Sequence, residues 1–77
     1  MNTLSTQYKA ALTEGQSYIG KYAQSRLLTE LDGNGRKVLC APQKITSFEI
    51  VEEFMQPSVM VTIGGESVYA DLLINIK

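Results

Sequence analysis

The chain has 77 residues, 44% of them hydrophobic, and a formal net charge of −1, which suits one small folded domain with a thin stability margin. A single cysteine and no histidine exclude an intrachain disulfide and four-ligand zinc sites of the Cys/His kind. No apolar run reaches the roughly 18 residues that a membrane-spanning helix requires.

The charge is unevenly placed. Residues 1 to 44 hold Lys9, Lys21, Arg26, Arg36, Lys37 and Lys44 against Glu14, Glu30 and Asp32, a balance of +3. Residues 45 to 77 hold Glu49, Glu52, Glu53, Glu66 and Asp71 against Lys77, a balance of −4. An acidic second half suits a basic partner, and its plain alternative is a solvated surface. The basic residues are scattered rather than gathered in a stripe, which argues against nucleic acid as the partner.

The first predicted element is a helix from about Ser5 or Thr6 to Glu30. Tyr8, Leu12, Gly15, Ile19, Tyr22 and Arg26 recur at helical spacing, with Ala11, Tyr18 and Leu27 widening the stripe. Gly15 and Gly20 lower helix propensity, so the plainer reading is a bend or two shorter helices. On the packing face, Gly15 also permits a close neighbour.

Asp32-Gly33-Asn34-Gly35 predicts a helix stop and a tight turn. A calcium loop does not fit, because Arg36 and Lys37 follow and Gln43 stands where the bidentate glutamate belongs. Val38-Leu39-Cys40 reads as an extended apolar insert, with Pro42 keeping Ala41 out of helix. Cys40 has no histidine to activate it and no second thiol to pair with, so a buried core thiol is expected.

A second helix is predicted from a capping box, Thr46 with Glu49, and a hydrophobic staple, Ile45 with Ile50. Ile50, Val51 and Phe54 form its inner side, and Pro57 ends it. Residues 58 to 63 carry strand-forming side chains but show no convincing partner, which leaves a connector or a dimer-pairing edge. Gly64-Gly65 then turns the chain into a final helix over 66 to 76, with Val68, Leu72 and Ile76 spaced four apart. The predicted fold is therefore all-α: a bundle of three to four helices with an extended connector, forming a single domain over residues 1–77.

Three stretches carry a family resemblance. Gln16-Ser17-Tyr18-Ile19-Gly20, then Leu39-Cys40-Ala41-Pro42 with Ile45-Thr46 and the segment through Phe54, and finally Glu66 to Leu73 resemble, in order, motifs of the Rap1a/Tai immunity-protein family. The resemblance implies a small helical periplasmic protein that binds and blocks a peptidoglycan-degrading toxin delivered by type VI secretion. The chain departs from the pattern at Ser17, at Pro57 and in its lone Cys40. The opening Met1-Asn2-Thr3-Leu4-Ser5-Thr6 lacks the basic region and apolar core of a signal peptide, so the location follows the resemblance only if a leader was removed, and is otherwise cytoplasmic.

The function expected is that of a non-enzymatic binding protein, immunity-like and acting by occlusion of another protein. Its candidate contacts are Asp32, Asn34, Arg36 and Lys37 in the turn and Glu49, Glu52, Glu53, Glu66 and Asp71 on the acidic half. Catalytic, cofactor and metal residues are expected to be absent, since no nucleophile–base pair or phosphate loop is visible. The alternative is a homo-oligomeric structural or assembly protein of phage or plasmid type. Its interface would use residues 59 to 63 with Tyr8, Tyr18 and Tyr22, a homodimer being the simplest case.

Overall fold

The computed structural model describes residues 3–77, with side chains from Thr6 onward. One helix, α1 (Thr3–Tyr18), precedes seven strands: β1 (Tyr22–Ser25), β2 (Thr29–Leu31), β3 (Lys37–Leu39), β4 (Gln43–Glu53), β5 (Gln56–Ile63), β6 (Glu66–Tyr69) and β7 (Leu73–Ile74). A 3₁₀ turn, Ala70–Leu72, joins β6 to β7. The strands form a five-stranded sheet in the order β6-β5-β4-β1-β7 and a separate two-stranded hairpin, β2-β3. Every pairing is antiparallel.

The expected all-α bundle is therefore overturned, and so is the helical fold implied by the Rap1a/Tai resemblance. The order of Cys40, Pro42 and Ile45-Thr46 is present, but the helix that should follow it is a strand. Four local corrections explain the reversal.

First, α1 ends at Tyr18 rather than Glu30. Gly20 takes φ +85, a left-handed conformation that stops a helix and that glycine adopts without a Cβ clash. From there the chain enters β1, where Ala23 and Ser25 alternate inward with no exposure at all.

Second, the segment with the capping box is β4. Ile45, Thr46, Ile50 and Val51 are β-branched, and a local cap of about 1 kcal/mol cannot outweigh a full ladder to β5. Pairing runs from Ile45↔Ile63 to Glu53↔Gln56, with a bulge between Ile45 and Ser47. The bulge re-aims the strand, so that its first residues pair with β1 (Tyr22↔Lys44, Ala23↔Gln43) and the rest with β5.

Third, residues 58 to 63 belong to a central strand. Val59, Val61 and Ile63 are buried at strict two-residue spacing, with β4 on one side and β6 on the other. Pro57 is tolerated because β6 stops at Tyr69, opposite Met60, leaving β5 with a single neighbour at that point.

Fourth, the final predicted helix is β6, the 3₁₀ turn and β7. Val68, Ala70 and Leu73 are buried, whereas Leu72 and Ile76, which the four-residue spacing had placed inward, are exposed. Gly64 and Gly65 both take positive φ, the requirement of a two-residue hairpin turn joining paired strands.

The core lies between α1 and one face of the sheet. Ala11, Ile45, Val59, Val61, Ile63 and Val68 form its centre, and Tyr18, Phe48 and Ile50 pack around it. The buried Ser25 hydroxyl accepts the Leu27 amide at 3.2 Å, so the polar group is satisfied where β1 turns out of the core. Cys40 is a free, half-buried thiol rather than a deep core group. Among the described residues no helix is long and apolar enough to cross a membrane.

Candidate functional site

A groove of about 400 Å³ lies between α1, the first half of β5 and the Tyr69–Asp71 corner. The first half of β5 has no β6 beside it, and α1 crosses above, so the two elements leave a slot. Small residues on each wall keep it open. Ala10 and Ala11 face it from the helix, Ala70 from the 3₁₀ turn, and Pro57 and Val59 from the strand.

Its charge has one sign. Glu14 and Asp71 line the groove, and among the described residues no lysine or arginine does. Both carboxylates act on Tyr18: burial raises the phenol pKa first, and the negative potentials of Glu14 and Asp71 raise it further. Two groups 57 positions apart in sequence therefore bear on one place. At the margin, the Tyr69 hydroxyl donates a hydrogen bond to Glu53, across the outer face of β5. That bond is the main reason the Tyr69 phenol pKa is raised, with desolvation and the Glu53 charge adding to it.

The nine residues expected to contact a partner separate into distinct places. Asp71 lines the groove, and Glu53 reaches its margin through Tyr69. Glu49 and Glu52 stand exposed on β4, and Glu66 opens β6 at the Gly64-Gly65 turn. Asp32, Asn34 and Arg36 form the β2-β3 turn, and Lys37 begins β3. The Asp32 carboxylate is engaged there, accepting the Asn34 and Arg36 amides at 2.8 and 2.9 Å. This makes Asp32 a turn-former first.

Sequence reading missed Glu14 and Tyr69. Glu14 belongs to the basic half, and only the packing of α1 on β5 carries it to Asp71. Tyr69 had been assigned to a helix face. A hint was available in the small pair Ala10-Ala11, which marks a helix side that something approaches closely.

Among the described residues no three metal-ligating side chains converge. The groove offers the carboxylates of Glu14 and Asp71, the polar side chains of Gln7, Gln56 and Ser58, and the small apolar surfaces of Ala10, Ala11 and Ala70. This set suits recognition of a cation attached to an aliphatic stem. No protein-family model matches the chain, and no curated protein or solved structure does. What the fold and groove define is a small antiparallel β-sheet module with one covering helix and an acidic cleft.

Proposed function

We propose that this is a non-enzymatic protein-binding module whose acidic groove receives a lysine- or arginine-bearing segment of another protein. The observation that carries the reading is the lining itself: Glu14 and Asp71 together with Ala10, Ala11, Val59 and Ala70, and no basic side chain among the described residues. The aliphatic stem of a lysine or arginine would lie on the small apolar residues while its head meets the carboxylates. Exposed charge pairs contribute about 0.2–1 kcal/mol each, so binding would be modest and salt-sensitive.

The test is an amide NMR titration with short peptides carrying one central lysine or arginine between apolar residues. Shifts are expected at Ala10, Glu14, Ser58, Ala70 and Asp71, shrinking as salt rises and lost in Glu14→Gln/Asp71→Asn. A citrulline-for-arginine peptide, which keeps the shape without the charge, should leave the spectrum unchanged. Equal binding of charged and neutral peptides, or shifts confined to another face, would refute the reading.

A further inference from the structure

The β4-β5 ribbon ends in Phe54-Met55, and these side chains are the most exposed large apolar groups among the described residues, 96% and 84% accessible. Both residues hold positive φ, +50 and +64, as the central pair of a two-residue hairpin turn. Glycine or asparagine adopts this conformation readily, whereas an aromatic and a long aliphatic side chain do so against backbone strain. Strain kept at a tip that displays two apolar side chains points to use of those side chains. Glu52 and Glu53 lead into the turn on β4, opposite the uncharged Pro57 and Gln56 of β5, so the tip is an apolar knob with acidic residues along one side.

At the other end of β4 lies a second concavity of about 280 Å³, lined by Tyr22, Gln24, Pro42, Asn75 and Lys77. Tyr22 and Pro42 supply its apolar surface. The charged side chains nearest it are basic: Lys77 lines it, and Lys44 stands outside the lining, directly across from Tyr22 in the β1–β4 register. Its walls are fixed in advance. The Gln24 amide donates to the Cys40 carbonyl at 2.9 Å and accepts from Asn75 at 2.7 Å, and the backbones of Tyr22 and Lys77 exchange two hydrogen bonds. Lys44 and Glu53 are nine residues apart on one strand, about 30 Å at ordinary strand rise, so the knob cannot reach this pocket within its own chain.

We infer that the chain associates with itself head to tail, the Phe54-Met55 tip of one copy seating in the Tyr22-Pro42-Lys77 pocket of the next. Polarity and charge agree on this occupant: an apolar tip with two carboxylates beside it meets a pocket whose apolar surface lies beside two lysines. The contact is heterologous, because knob and pocket are different surfaces, so it propagates into open chains or closes into rings. It uses neither Glu14 nor Asp71, the carboxylates that line the acidic groove, and does not rest on the function proposed for that groove. Glu52 and Glu53 also oppose insertion of the tip into an anionic lipid surface.

Sedimentation velocity on the intact chain from about 10 μM to about 1 mM, a range that captures weak protein contacts, tests this directly. The unaltered protein should show a weight-average mass that climbs with concentration and falls with added salt. Phe54→Ser/Met55→Ser should stay monomeric, and Lys44→Glu/Lys77→Glu should weaken association at least tenfold, each with an unchanged circular dichroism spectrum. An equimolar mixture of these two double variants should form a 1:1 dimer and nothing larger, because one intact knob and one intact pocket remain between them. A monomer at every concentration would overturn the inference, as would tip variants that associate like the parent. Tip-dependent binding to phosphatidylcholine vesicles, without self-association, would assign the knob to lipid instead and would equally overturn it.

Discussion

The Phe48 ring lies directly on Gly15, occupying the space that a β-carbon at position 15 would need. This contact seats α1 on the sheet. It also explains why a residue of poor helix propensity stands on the inner face of the only α-helix among the described residues.

Gly15→Ala sets two effects against each other. Alanine raises helix propensity by about 1 kcal/mol. Its methyl group, however, displaces the ring or lifts the helix, and overpacking of this kind costs about 1–3 kcal/mol. The neighbour is the body of an aromatic ring wedged between helix and strand, so the clash is expected to win and lower the urea midpoint. Adding Phe48→Leu to Gly15→Ala should recover part of the loss. If Gly15→Ala alone proves more stable than the parent, the helix does not sit where this contact places it.

Ser25 yields a second expectation. It is fully buried where β1 leaves the sheet, and its hydroxyl accepts the Leu27 amide. Ser25→Ala deletes that bond, with a destabilisation of about 0.5–1.5 kcal/mol, because Leu27 is exposed and its amide can turn to water. Hydrogen exchange reads the effect locally: the Leu27 amide should lose protection beyond what the global loss explains. Unchanged exchange at Leu27 would mean that the hydroxyl has no such role.

The limits of the sequence follow from the same contacts. Gly64-Gly65 was legible as a turn, and Asp32-Gly33-Asn34-Gly35 as a tight one; both are hairpin turns. Strand β5 was half legible, since Val59, Val61 and Ile63 showed strand propensity but were denied a partner. The partner was hidden because Thr46 and Glu49 imitate a helix start. Local capping involves four adjacent residues, whereas the ladder that overrides it joins residues on both sides of a turn made by Phe54 and Met55, which no turn rule favours. The four-residue spacing of Val68, Leu72 and Ile76 was a coincidence of composition across a strand and a 3₁₀ turn. The groove was the least legible feature, because Glu14 and Asp71 meet only once the fold is complete.

The Tyr69–Glu53 pair fixes an alkaline dependence. The bond to Glu53 raises the folded-state pKa of Tyr69 above its usual value near 10. A raised pKa means that the folded state holds its proton more tightly than the unfolded chain. The stabilisation is therefore complete below about pH 10 and is lost as pH rises through the higher folded value. Glu53→Gln removes the charge and weakens the acceptor, so Tyr69 should ionise at lower pH than in the parent. Absorbance titration at the phenolate band checks this, with Tyr69→Phe identifying the transition. An identical titration in Glu53→Gln would show that the bond does not hold the proton.

The tip of the β4-β5 ribbon supplies the sharpest expectation, because stability and association should move in opposite directions there. Phe54→Asn/Met55→Gly replaces two side chains that resist positive φ with the pair that two-residue hairpin turns prefer. Both original side chains are almost fully exposed, so their removal forfeits little packing. Relief of left-handed strain at two positions should then stabilise the fold by about 1–2 kcal/mol. The same substitution deletes the apolar knob and should abolish head-to-tail association. Thermal unfolding and sedimentation on one sample read both outcomes. A variant that is less stable than the parent would show that Phe54 and Met55 support the turn instead of straining it, and would remove the argument that they are kept for contact.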